Sequence, residues 1–536
     1  MKKSYILVSI SLITALNVFA QNIERPDVTT VIEGDTVTVS PDALPDFKDV
    51  LKIPEGSGTI VPVLPDINTD VKESKEKKIN VNNNKTVYSE IAVGGGYPFL
   101  FFGNVDVKST NKVSPFALSF DYESANGYNS KPLTDNFSDS LIQLNFEKSY
   151  VKDSLSLLFN ANYEKDTKGL QKKVIGMSDI NKSAIEGFAE VNYSFKNGVS
   201  IGSDMDLVLY NRFLANTIDN QTIDTWKNKS DFITFIPHLN FNWQGYGFDF
   251  NLIGEYLLDG NLFYSLEGKN VNRGAFQTEL RWHNDIIDTF GNVAIVFGNQ
   301  LKNNKVLFPF SLGLDASFPV YFSNRNVRLS FEGGLLSTYK TVEEIEKEYS
   351  YSVLKTVPNE IADWYGKLEI DIPLKQVFSG NFKAEYKKTA FNNGVWEPIF
   401  SEDTKDLYEI KNNSHELLTT DLSLTYTSGL FSVKGIWHAN WFDVPANDAM
   451  QRFDIELSVQ DLKAKWGASL YGSYKVDEKW SYPNISLQGF VQVTPTVRLN
   501  ASFEDVIPLF TQSERIGCGK YIDRGFSGSV FLKFAL

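Results

Sequence analysis

The 536-residue sequence is poor in the residues that build compact metal or disulfide scaffolds: it has one cysteine, Cys518, four methionines and four histidines. One cysteine excludes an internal disulfide. His238, His283, His415 and His438 are far apart and none shows the spacing of paired metal ligands, so structural or wall-lining roles are expected for them, with no metal centre and no cofactor. Nowhere does an apolar run approach the roughly 18 uninterrupted residues that a membrane-crossing helix needs. Basic residues are also in deficit. Lys and Arg number 52 against 66 Asp and Glu, a net charge of −14, or −16 once Lys2 and Lys3 are removed, and a chain so acidic is not built to bind nucleic acid.

What the sequence does have is aromatic side chains and a rhythm. Phe, Tyr and Trp make up 14% of the residues, with 40 Phe and 24 Tyr. From about Val87 to Leu536, apolar and polar residues alternate in short runs, the period of β-strands with one apolar and one polar face. Leu155, Leu157, Phe159, Ala161 and Tyr163 alternate with Ser156, Asn160, Asn162 and Glu164. Val433, Gly435, Trp437, Ala439 and Trp441 alternate with Ser432, Lys434, His438 and Asn440. Ile485, Leu487, Val491 and Val493 alternate with Ser486, Gln488 and Gln492, and Val497, Leu499, Ala501 and Phe503 with Arg498, Asn500, Ser502 and Glu504.

The gaps between these runs alternate too. Tight-turn signals stand at Asn111-Lys112, Lys152-Asp153, Asn197-Gly198, Gln244-Gly245, Ser323-Asn324-Arg325-Asn326, Ser379-Gly380, Ser428-Gly429 and Thr494-Pro495. Between them lie longer polar segments near 124–138, 165–181, 212–230, 259–273, 340–363, 390–415 and 507–524. Short turns on one side and long loops on the other are the pattern of a transmembrane antiparallel β-barrel of the outer membrane, with aromatic girdles at its two rims. The expected fold is therefore all-β, a barrel over 86–536 of about 22 strands (range 18–22), the weakest strands lying near 87–109 and 258–284. Mean hydropathy is −0.22, which does not oppose this, because wall residues facing the lumen offset those facing lipid. Charges on the lipid face cost about 2–4 kcal/mol at the midplane. Lys434, His438, Gln488, Arg498 and Glu504 are accordingly assigned to a wet lumen.

Residues 1–20 read as a cleaved signal peptide: Lys2 and Lys3, an apolar run from Tyr5 to Leu16, and Val18-Phe19-Ala20 before Gln21. With no cysteine beside the cut, lipoprotein anchoring is excluded. Residues 21–85 form a different region, punctuated by Pro26, Pro41, Pro45, Pro54, Pro62 and Pro65, poor in aromatics and ending in the polar stretch Lys72–Lys78. Their composition is that of an extended or disordered periplasmic segment, and Thr59–Pro65 is apolar enough to act as a short plug in the lumen.

Two features carry a family resemblance. Val530, Leu532, Phe534 and Leu536 put four apolar residues on one face of the terminal strand, and this resembles the signal read by the outer-membrane barrel-assembly machinery. Asp35-Thr36-Val37-Thr38-Val39 resembles the TonB box, which adds a strand to a periplasmic energy-coupling protein. Together with the strand count, the chain resembles the TonB-dependent receptor class, although the segment between box and barrel is too short for that family's full plug domain. The resemblance implies an outer-membrane location, contact with outer-membrane lipid and an energy-coupling partner in the periplasm. The function expected is a channel or transporter passing solutes through a polar lumen and gated by the N-terminal segment. The alternative is a non-transport interaction barrel, an adhesin or the membrane partner of a surface lipoprotein or secretion apparatus, for which the long loops 340–363 and 390–415 would be contact surfaces. No catalytic constellation is present, so no enzyme is expected. The pattern does not choose a solute.

Overall fold

The computed structural model describes residues 87–109, 113–127, 137–216, 229–263, 270–301, 306–320, 325–375, 377–391, 393–400, 406–476, 482–511 and 514–536. The proposed signal peptide, the segment 21–85 and the box-like Asp35–Val39 lie outside them.

The strands close into an antiparallel barrel of 22. It begins at Val87–Tyr97 and ends at Ser527–Ala535, and these two pair with each other from Glu90↔Ala535 to Tyr97↔Gly528. The two-residue strand Val306–Leu307 is a small extra rung beside Ile287–Gly298. Every other barrel neighbour is adjacent in sequence, as expected of a meander built from hairpins. Both regions where the alternation is weak in sequence are strands: Val87–Tyr97 and Leu100–Ser109 pair in full register, as do Phe248–Phe263 and Val271–His283.

The two ends differ as the gaps predict. Connections at one end span 110–115, 153–154, 195–198, 246–247, 284–286, 320–325, 376–377, 429–430, 461–465 and 495–496, and those at the other include 127–137, 339–360, 390–415 and 505–526. One tight turn, 98–99, falls at the long-loop end. Two turns are displaced from their sequence signals. The strand Lys229–Gly245 runs through Gln244-Gly245 and turns at Tyr246-Gly247, both in the left-handed region. Gly380 lies inside Phe378–Thr389, paired with Leu424, so this signal falls within a strand.

Alternation places large apolar side chains on the outer face, where Leu157, Phe159, Leu487, Val491, Val493 and Phe503 are exposed. Val530, Leu532 and Leu536 are exposed on the same face of the closing strand. The opposite face of the sheet is polar and charged. It holds Asn104–Asp121, Gln143–Glu164 and Asn381–Glu369 hydrogen bonds between neighbouring strands.

Candidate functional site: a loop-capped inner wall

The segment 339–360 does not project away from the barrel. It opens with the helix α1, Val342–Glu348. Thr341 caps it: its Oγ1 accepts from Glu344 N at 3.2 Å while Glu344 Oε2 accepts from Thr341 N at 2.7 Å. This reciprocal pair satisfies two amide donors that a helix start leaves open. Val342, Ile345 and Tyr349 then fall on one face and pack into a buried cluster with Ala184, Tyr210 and Phe232 of the wall and Trp396 and Ile410 of the next long loop.

Five polar anchors tie this loop to the wall. Glu346 is fully buried. Its carboxylate accepts from Arg212 Nη1, from Tyr210 Oη at 2.8 Å and from Leu354 N at 2.8 Å. Lys182, also buried, donates to the carbonyls of Glu346, Tyr349 (2.8 Å) and Ser352 (3.4 Å). Lys347 Nζ lies 2.5 Å from Glu343, 2.9 Å from Glu186 and 3.5 Å from Glu164. Tyr339 donates to Asp259 at 2.8 Å, and Glu360 receives Arg273 Nε at 3.0 Å, Gln300 at 3.2 Å and Ser337 at 2.5 Å. A segment that touches strands from Leu155–Gly169 to Val271–His283 while linking Asn326–Thr338 to Ile361–Lys375 can do so only through the interior of the barrel. Burial of charge at this level is costly unless each ion is paired and hydrogen-bonded; Glu346 and Glu360 each meet an arginine, and Lys182 is held by carbonyl oxygens. Burial pushes the Glu343 carboxyl up to about 7, against the pull of Lys347 beside it.

Other long loops lock onto the first. Ser352–Leu354 pairs in parallel with Tyr408–Asn413, which pairs antiparallel with Val395–Ile399. Tyr521, in the connection 505–526, stacks on Tyr351 with ring centroids 3.8 Å apart, and Tyr408 meets it edge-on at 6.1 Å. The Gln171 side-chain amide clasps the Ile522 backbone, its Nε2 donating to the carbonyl and its Oε1 accepting from the N–H, at 3.0 Å each. The loops that the sequence offers as external contact surfaces thus spend much of their apolar content on one another and on the wall. A cavity of about 170 Å³ lies against the wall, lined among others by Glu255, Arg273, Gln277, Asn292, Glu332 and Tyr365.

The five residues assigned to the lumen fall in two groups. His438 sits between Asp421 (Nδ1, 2.6 Å) and Asp448 (Nε2, 2.9 Å), and Lys434 on the same strand is opposite Glu456. Gln488 pairs across to Ser502. Arg498 donates to Gln492 at 2.9 Å and lies 4.6 Å over the Phe490 ring, and Glu504 accepts from Ser527 at 3.1 Å. Neither group touches α1. The anchors Lys182, Arg212, Arg273, Glu346 and Glu360 were not singled out in the sequence. One signal for α1 was there: Thr341 followed three residues on by Glu344, with Val342, Ile345 and Tyr349 at helical spacing.

No family model matches the sequence, and no curated protein matches it. Its fold has clear likenesses among solved structures. The siderophore receptor PirA from Acinetobacter baumannii aligns over 84% of this chain and 80% of its own, with a TM-score of 0.60 and 8% identity. The FrpB iron transporter from Neisseria meningitidis (F3-3 variant) aligns over 84% and 82%, with a TM-score of 0.62 and 7% identity. The copper transporter OprC aligns over 84% and 80%, with a TM-score of 0.59 and 10% identity. The barrel is thus the one expected from the resemblance to TonB-dependent receptors.

Proposed function

We propose that this chain is an outer-membrane transport barrel whose lumen is closed at the long-loop end by its own segment 339–360 and opens when that segment leaves the wall. The observation that carries the reading is the set of buried ion pairs between loop and wall, above all Glu346 with Arg212 and Glu360 with Arg273. Such pairs hold a segment in one place yet are replaced by water when it moves out, so they suit a door better than a permanent core. The polar wall beneath supports aqueous passage selected by size, charge and hydrogen bonding. In this reading the short-turn end faces the periplasm, which puts both barrel termini on the side from which an exported chain arrives. Residues 21–85 then lie where they can act as a second, periplasmic gate, with Asp35–Val39 as the handle for an energy-coupling protein.

The test is single-channel conductance in planar bilayers with three proteins: residues 21–536, the same lacking 21–85, and the same carrying a short Gly-Ser bridge in place of 341–358. Opening only on loss of the loop supports the door at the long-loop end. Opening on loss of 21–85 alone places the gate in the N-terminal segment, and a pore that is open in the starting protein rules out both.

A further inference from the structure

Below the loop anchors, three potential metal ligands converge on the inner wall. Asp204 and Asp206 come from Val199–Asn216 and His238 from Lys229–Gly245, and one donor atom from each lies within 4.8 Å of the others. The sheet register makes this happen: Asp204 is directly opposite His238, and His238 is opposite Glu255 on the following strand. Nδ1 of His238 is 2.6 Å from Asp204 Oδ1, and Nε2 is 3.2 Å from Glu255 Oε2. Asp206, between Phe188 and Ile236 across the ladder, takes part in no hydrogen bond or ion pair among the described residues. Three carboxylates therefore surround one imidazole. The nearby guanidinium, Arg273, is bound by Glu255 and by Glu360 of the loop, so the imidazole is the group that faces the two aspartates.

We propose that Asp204, Asp206 and Nδ1 of His238 bind one divalent first-row transition ion. An imidazole beside carboxylates is a donor set for such ions, whereas carboxylates alone would suit magnesium or calcium. Glu255 completes the arrangement. It holds Nε2–H of His238, the usual role of a carboxylate behind a ligating histidine, while Nδ1, whose proton faces Asp204, binds the metal in place of that proton. If the imidazole starts protonated, binding releases that proton to solvent. Because Glu255 also holds Arg273, which holds Glu360, the site is connected by direct contacts to the segment that closes the barrel.

The experiment is a Co²⁺ titration of the purified full chain in detergent, followed by visible absorption, with Zn²⁺ competition read by calorimetry. One equivalent bound per chain, with affinity reduced at least 100-fold in Asp206→Asn and in His238→Gln, is the expected result. Glu255→Gln should weaken binding about 10–100-fold without abolishing it. Absence of stoichiometric binding, or binding unchanged in Asp206→Asn and His238→Gln proteins that retain the compact, heat-modifiable band of a folded barrel, overturns the proposal. Displacement of Co²⁺ by equimolar Mg²⁺ would also overturn it. Since binding is read without any flux, failure here leaves the transport reading standing, and the converse holds.

Discussion

Arg212 donates to the carboxylate of Glu346, 134 residues further along the chain, and both side chains are withdrawn from solvent. Removing one partner of such a pair strands the other charge in a dry site, at a cost of about 3–5 kcal/mol. Glu346→Ala should therefore release 339–360 from the wall while the barrel itself stays folded. Protease cutting or amide exchange within 339–360 should rise in step with conductance. Replacing both partners with apolar residues, Arg212→Met with Glu346→Leu, should restore protection, because the pair contributes less than its breakage costs. A double variant as exposed as the single one would show that the pair is not what holds the loop.

A pH dependence follows from Glu343, whose carboxyl burial raises to about 7. The docked loop favours the protonated acid, so this contribution is complete below the ordinary carboxylate range and is lost as pH rises through about 7. Protection of 339–360 should accordingly fall between pH 5 and pH 8. The groups facing Glu343 are Lys347, Glu186 and, through Lys347, Glu164. Glu343→Gln keeps the uncharged form at all pH values and should flatten the profile, as measured by amide exchange at matched intrinsic rates.

The seam between the first and last strands depends on a small residue. A Cβ placed on Gly96 would lie 1.8 Å from the carbonyl oxygen of Gly528 on the partner strand. Neither backbone can give way without breaking the ladder, so Gly96→Val should cost at least the ~1–3 kcal/mol of an overpacked site. The readout is the fraction of compact, heat-modifiable barrel after refolding. The same change at Gly435, which has nothing within 4 Å, should leave that fraction unaltered.

The two faces of the wall should respond oppositely to one substitution. Val293 is 58% exposed on the outer face, and Val293→Arg should destabilise the barrel in bilayers by about 2–4 kcal/mol. Gln488→Arg, on the polar face beside Ser469 and Ser502, should leave stability near that of the parent and alter ion selectivity instead. Urea titration in lipid vesicles distinguishes the two.

Most of the barrel was legible in the sequence because its cause is local. A strand between lipid and water must alternate, so Leu155–Tyr163 and Val497–Glu504 declare their faces without knowing their neighbours. Turn positions were less secure. Asn197-Gly198 marks its turn correctly, but Ser379-Gly380 is a strand pair whose glycine accommodates Leu424, with its Cδ2 3.3 Å from where a Cβ would sit. The capping loop shows in sequence only as a long polar segment, with nothing to say where it folds. Its Glu and Lys residues look solvated when counted, yet Glu346 and Glu360 are fully buried. Their partners Arg212 and Arg273 lie on distant strands, and no periodicity links an arginine in an alternating run to a glutamate so far away. The same holds for Asp204, Asp206 and His238, which sequence spacing separates and cross-strand register unites.

The pairing of Val87–Tyr97 with Ser527–Ala535 also bears on how the molecule comes into being. Until the last strand is in place, the sheet carries two unsatisfied edges, each a row of amide donors and carbonyl acceptors open to any other chain. Hairpins can form one after another from the start, but closure waits for the final strand, so the growing sheet has to be shielded from self-association until that strand docks.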